Sequence, residues 1–273
     1  MPVARERVPG PRWQGRARSG NGTGARLRIP RQGRRAPGAG TYPARRSGEL
    51  TDMTGAVLFD IDGTLVDSTY LHVIAWMRAL QDVNHPVDAW RIHRGMGMGS
   101  SQLLTCLLGE EADRIGSQAK QRHSEHYLRV APLLRAFEGA RELVTAVAQR
   151  GARVVLASSA APDELERLRS VLEIDDAVAG ITGGGDVEAA KPAPDLVEVA
   201  LQQAGVPADR AIFVGDTVWD VHASAKAGVA CACVLSGGIS AKELTEAGAV
   251  AVYEDCQTLL CELDASPLAA VWS

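Results

Sequence analysis

Two aspartates separated by one isoleucine close the apolar run in AVLFDIDGTLVDS (56–68), and Gly63-Thr64 follow at once. In an extended chain residues i and i+2 point the same way, so Asp60 and Asp62 face one volume if the strand runs through both. Two unpaired carboxylates repel, and a cation must join them. A hard divalent ion with oxygen ligands fits, and Mg²⁺ typically takes one or two carboxylates together with substrate phosphate. A second acidic pair, Asp216 and Asp220 in VGDTVWD, has the i, i+4 spacing that shares a helix face and can supply further ligands. Lys191, in the Pro-rich stretch AAKPAPD, is a positive charge on a restricted backbone, suited to an anion. Ser158 and Ser159 follow the apolar run VVLA and add a pair of hydroxyls.

These residues need elements to bring them together. From residue 55 onward, apolar runs alternate with helical patterns. Strands are expected at 56–62, 152–159, 177–182, 210–216, 229–235 and 249–253. Helices are expected at 139–151, 162–172, 193–205, 217–228 and 241–248. Strands that read as continuous apolar runs between helices imply an α/β protein, with a Rossmann-like, doubly wound, mostly parallel sheet covered on both faces. Ligands bind such sheets beyond the carboxyl ends of the strands. Asp60, Asp62, Ser158, Ser159 and Asp216 all fall at those ends. Residues 69–136 carry helical patterns and no convincing strand, so they form a helical insert between a core of 53–68 and 137–273.

FDIDGTLVDS, the hydroxyl pair in VVLASSA, AAKPAPD and VGDTVWD, in that order, resemble the four motifs of the haloacid dehalogenase-like hydrolase superfamily. The resemblance spans residues 55 to about 265, and the helical insert stands where that family carries its α-helical cap. It implies that Asp60 is a nucleophile forming an aspartyl-phosphate and that Asp62 is the general acid and base. It implies Mg²⁺ held by the Asp60 carboxylate, the Asp62 backbone carbonyl and Asp216, with Asp220 in support. It implies that Ser158, Ser159, Thr64 and Lys191 bind phosphate. An acid two positions after the nucleophile marks the branches that cleave phosphate esters. The expected activity is therefore a Mg²⁺-dependent phosphatase on a small phosphorylated metabolite, phosphoglycolate-like or sugar-phosphate-like.

His72 and Trp76 resemble the early cap helix of the phosphoglucomutase-like branch, which makes a phosphosugar mutase the alternative. That branch grips a second phosphate with a basic residue in its cap loop, whereas the corresponding loop here reads GMGMGSS (95–101). Arg91 and Arg94, just before it, are the candidates to replace that charge, and His72 is a candidate substrate contact or packing residue.

The rest of the chain sets boundaries. Residues 1–52 hold twelve Arg against three acids, and the remainder holds seventeen Lys and Arg against thirty acids. The basic segment is Gly- and Pro-rich without an apolar period, so it is expected to be disordered. It reads as an extension outside the natural product, since Met53 directly precedes the first strand; as a targeting segment; or as an arm that binds nucleic acid, which gives a second function class. No apolar run reaches membrane-spanning length. The cysteine pattern fits a reduced, cytoplasmic protein, with Cys231 and Cys233 on one face of a buried strand. His123 and His126, at i, i+3, read as a solvated helix face, and Trp76, Trp90 and Trp219 as packing residues.

Overall fold

The fold is described from a computed structural model, which covers residues 55–185 and 190–272. The expectations for residues 1–52 lie outside the described residues.

The chain runs β1 (Ala56–Phe59), α1 (Thr69–Asp82), α2 (Ala89–Arg94), α3 (Ser100–Leu108), α4 (Ala112–Val130), α5 (Ala140–Gln149), β2 (Arg153–Ala157) and α6 (Pro162–Leu172). It continues with β3 (Gly180–Thr182), α7 (Asp195–Ala204), β4 (Ala211–Gly215), α8 (Val218–Lys226), β5 (Ala230–Val234), α9 (Ala241–Ala247), β6 (Ala251–Tyr253) and α10 (Cys256–Cys261). Among the described residues six strands form one sheet in the order β3-β2-β1-β4-β5-β6, and each of their pairings is parallel. The chain winds outward from β1 in both directions, so β1 and β4 flank the point where strand order reverses. A crevice opens there at the carboxyl ends of the strands.

Side-chain alternation shows why β1 and β4 carry no polar positions. Val57 and Phe59 of β1 join one buried cluster with Ile212 and Val214 of β4. Ala56 and Leu58 join a second cluster, on the opposite face, with Ala211 and Phe213. A strand buried on both faces cannot alternate apolar with polar. Each fully buried Val, Leu or Phe side chain contributes about 1.5–3 kcal/mol relative to exposure. Cys231 and Cys233 lie together in the second cluster, Sγ to Sγ 3.8 Å, as small apolar residues and free thiols.

The first strand is shorter than its apolar pattern predicts, ending at Phe59 rather than at residue 62. The Ile61 carbonyl accepts the amides of Thr64, Leu65 and Val66, which folds the chain into a tight turn. Gly63 occupies that turn at φ +83°, where a Cβ would overlap the Asp216 carboxylate. A glycine is therefore required both by the backbone angle and by the close approach.

Helices α1–α4 occupy the interval between β1 and α5. They enclose a third apolar cluster that includes Trp76, Leu80, Ile92, Leu103, Leu104 and Ile115. The Trp76 ring of α1 stacks on the His123 ring of α4 at 4.1 Å between centroids. Trp90 is 67% exposed, contrary to the packing role its type suggests. No described helix is long and apolar enough to cross a membrane.

Candidate active site

The central strands deliver the carboxylates. Phe59 pairs with Val214 across β1 and β4, so Asp60 and Asp216, one and two residues further on, emerge side by side at the crevice. Asp220 comes from the first turn of α8. Thr217 caps that helix by accepting the Asp220 amide at 3.3 Å, while Asp220 Oδ2 accepts the Thr217 amide at 3.0 Å and hydroxyl at 2.6 Å. This reciprocal box satisfies the first amides of the helix and fixes the Asp220 carboxylate. Its other oxygen, Oδ1, lies 2.7 Å from the Lys191 ammonium. Lys191 is 1% exposed and also pairs with Asp60 Oδ1.

Asp60, Asp216 and Asp220 each bring one carboxylate oxygen to within 4.8 Å of the others. All three are buried. The Thr64 hydroxyl lies 3.2 Å from Asp60 Oδ2 and 3.0 Å from Asp216 Oδ1, and can donate its one proton to either. Asp216 Oδ2 is buried without a hydrogen-bond partner. Three ionised carboxylates against one ammonium leave an excess of two negative charges, and buried charges persist only when paired or bound to a cation. The orphaned oxygen, the charge excess and the all-oxygen donor set fit a hard divalent cation such as Mg²⁺. The same crowding acts on the protons. Burial, opposed by the Lys191 ammonium and assisted by the Asp220 and Asp62 charges, pushes Asp60 up to about 7. Burial and the charges of Asp220 and Asp60 also hold Asp216 well above the usual carboxylate range.

Asp62 has a separate environment. Its carboxylate accepts the Ser68 hydroxyl at 2.6 Å and the Ser158 hydroxyl at 3.2 Å, and Oδ1 stands 3.4 Å from His72 Nε2. Burial alone would raise its pKa, yet the hydrogen bond and charge of His72, with Ser68 and Ser158, hold it below the usual value. His72 is raised in turn: burial opposes its charge, but Asp62 outweighs it. His72 Nδ1 lies 3.1 Å from His123 Nε2. Burial and the neighbouring His72 and His126 keep His123 well below the ordinary imidazole range. His123 Nδ1 faces Glu164 Oε1 at 4.0 Å.

A cavity of about 290 Å³ opens against both aspartates. Asp60, Lys191 and Ser159 line it from the sheet edge and Glu164 from α6. His72 and Trp76 line it from α1, and Met96 and Met98 from the glycine-rich loop. The volume suits a small molecule rather than a polymer.

The candidates from sequence divide accordingly. Asp60, Asp62, Lys191, Ser159 and His72 line the cavity. Ser158 and Thr64 stand behind it, occupied by Asp62 and by the Asp60–Asp216 pair respectively. The Asp62 side chain turns away from the three-carboxylate cluster because the strand stops before it and Ser68 and Ser158 draw it aside. Arg91 and Arg94 are exposed and absent from the cavity wall, and Arg94 pairs with Glu243 at 2.7 Å.

His123 and His126 are buried, not solvated. His126 Nε2 bonds Asp82 at 2.8 Å, and the described acidic and imidazole groups that gather for a metal are the three aspartates alone. Sequence reasoning missed Lys120, Ser124 and Glu164 in the wall. The i, i+3, i+4 spacing of Lys120, His123 and Ser124 was the available signal, since it places all three on one face of α4.

The profile of haloacid dehalogenase-like hydrolases matches residues 54–228. A phosphoglycolate phosphatase of Rhodospirillum rubrum is 33% identical over 218 residues, covering 76% of this chain and 90% of the relative. A phosphorylated carbohydrates phosphatase of Thermotoga maritima is 29% identical over 203 residues, covering 73% and 94%. Among solved structures, a hydrolase from Pseudomonas syringae superposes with a TM-score of 0.74 at 35% identity, over 77% of this chain and 98% of that one.

Proposed function

The chain belongs to the haloacid dehalogenase-like hydrolases, and from that premise we propose that it hydrolyses a small phosphate monoester through an aspartyl-phosphate on Asp60. The observation that carries this reading is the placement of the Asp60 carboxylate. It is buried at the end of β1, paired with Lys191 and clustered with two further carboxylates, and it opens onto a cavity of small-molecule size.

An anionic carboxylate approaches an anionic phosphate only where positive charge screens both. Lys191 is the fixed part of that charge. Asp60, Asp216 and Asp220 would hold Mg²⁺, which when bound neutralises the remaining excess and polarises phosphoryl oxygens. In the first half-reaction an Asp60 oxygen forms a bond to phosphorus and the ester P–O bond breaks. The leaving oxygen takes a proton from Asp62. In the second, Asp62 takes a proton from water as the water oxygen attacks phosphorus, and Asp60 leaves as a free carboxylate.

The Asp62–His72 pair holds the proton this cycle needs. Asp62 is depressed and His72 raised, so across their 3.4 Å contact the imidazole is the favoured holder of a proton. Transfer of that proton to Asp62 leaves a neutral imidazole and requires no proton from solvent. Ser159 Oγ, buried without a partner at the cavity wall, is available to a phosphate oxygen. Helices α1–α4 act as a cap over the reacting groups, excluding water.

Two curated relatives carry the names phosphoglycolate phosphatase and phosphorylated carbohydrates phosphatase. Those two substrate classes are the first to assay. The test is phosphate release from a panel of small monoesters, with and without Mg²⁺. Mg²⁺-dependent release supports the reading, and absence of release across the panel contradicts it.

A further inference from the structure

The charged groups of the cavity wall are not all paired with one another. The described wall holds three carboxylates, Asp60, Asp62 and Glu164, and the cationic or protonatable groups Lys191, Lys120, His72 and His123. Lys191 is taken by Asp60 and Asp220, His72 faces Asp62, and His123 lies between His72 and Glu164. Lys120 has no carboxylate among the described residues. Its Nζ donates to the Ser101 hydroxyl at 2.7 Å. The contact is open to solvent, and a hydroxyl orients the ammonium without countering its charge, which leaves it available to an anion.

Ser101 stands in the first turn of α3, directly after the glycine-rich loop, whose residues bring no cation to the cavity. A charge there comes instead from α4, directed over the end of that loop. Ser124, one turn along α4, and Ser100 add hydroxyls to the same wall, while Trp76, Met96, Met98 and Leu103 make the remainder apolar. The cavity thus has a reacting end at the sheet edge and a second polar station on the helical side.

We propose that Lys120 is a specificity determinant that holds an anionic group on the alcohol portion of the ester, so that the preferred substrate is a short phosphomonoester bearing a carboxylate or a second phosphate. This rests on the phosphatase reading above. Lysine binds such groups as a point charge, so both anions are chemically possible. The small cavity limits the linker between the two charged ends.

The experiment compares phosphoglycolate, a sugar bisphosphate and ethyl phosphate as substrates for the full chain and for its Lys120→Met and Lys120→Arg variants. Binding of phosphoglycolate is measured in parallel by calorimetry. A charge-assisted hydrogen bond corresponds to about 10- to 100-fold in binding. The parent is therefore expected to prefer the anionic esters over ethyl phosphate. Lys120→Met is expected to reduce that preference by about 10- to 100-fold, mainly through KM, with substantial recovery in Lys120→Arg.

Preference for phosphoglycolate identifies a carboxylate partner, and preference for the bisphosphate identifies a second phosphate. Turnover with no anionic preference, or a preference unchanged in Lys120→Met, overturns the inference and leaves the phosphatase reading intact. Equal losses on all three esters, not recovered by Lys120→Arg, show a structural role and also overturn it. No turnover of any ester, with phosphoglycolate binding that still weakens in Lys120→Met, would instead defeat the hydrolase reading and keep Lys120 as the anion contact. Should binding also be indifferent to Lys120, the inference falls with it.

Discussion

His72 Nε2 stands 3.4 Å from Asp62 Oδ1, which joins the first helix after β1 to the carboxylate proposed to manage protons. The imidazole is raised and the carboxyl depressed, so the contact favours the imidazolium–carboxylate form. Stacking on Tyr127, 4.1 Å between ring centroids, fixes the orientation of His72.

Removing this histidine should therefore affect difficult leaving groups most. An alkoxide needs a proton as its bond to phosphorus breaks, whereas p-nitrophenolate does not. His72→Asn is expected to lower kcat for alkyl phosphates by about 100-fold, within the range for general acid catalysis, and to have a much smaller effect on p-nitrophenyl phosphate. The ratio of the two kcat values in parent and variant measures this. Equal losses on both substrates would show that His72 does not serve proton delivery.

Lys191 supplies the resident positive charge of a buried acidic cluster. Lys191→Met strands Asp60 and Asp220 without their partner. Breaking a buried pair by removing one member costs about 3–5 kcal/mol. Urea unfolding of the metal-free protein should register that loss, and Mg²⁺ should recover part of it. An unchanged midpoint would contradict the charge balance described for the cluster.

The fold was largely legible because its signals are local and repeated. Apolar runs such as RAIFVGD announce a strand buried on both faces, and Asp60, Lys191, Asp216 and Asp220 were identifiable from type and order. Two kinds of feature were not. The end of β1 depends on three amides turning onto the Ile61 carbonyl, which apolar patterning does not encode. That turn separates the Asp62 side chain from the cluster that Asp60 joins. The wall from α4 and α6 depends on how helices meet in space. The pair in RHSEH resembles a solvated helix face, yet His123 is buried between Trp76, His72 and Glu164.

The divalent cation can be tested without turnover. A ligand at about 100 times its dissociation constant stabilises the native state by about 2.7 kcal/mol. Thermal unfolding should move upward with Mg²⁺ in the parent and much less in Asp216→Asn, whose Oδ2 is orphaned in the described structure. Equal shifts in both proteins would place the ion elsewhere.

Asp60 also makes a signed prediction for the metal-free chain. Its pKa rises from 3.8 to about 7 on folding. The native state therefore keeps a proton that the unfolded chain releases, and this contribution is complete below about pH 4 and lost as pH rises through about 7. The full effect is on the order of 4 kcal/mol. His123, depressed on folding, acts in the opposite sense, so the comparison must be between parent and Asp60→Asn. Urea midpoints from about pH 4 to about pH 8 should fall more steeply for the parent than for the variant. Parallel profiles would contradict the assignment.

The most direct measurement is mass spectrometry of the enzyme quenched in acid during turnover of a phosphomonoester. The account predicts a phosphoryl adduct on the peptide containing Asp60, labile as an acyl phosphate, absent from Asp60→Asn, and accompanied by at least a 1,000-fold lower kcat in that variant, on the order expected when a covalent nucleophile is removed. Turnover of the ester by Asp60→Asn at the parental rate, or an adduct that maps reproducibly to another residue, would contradict it.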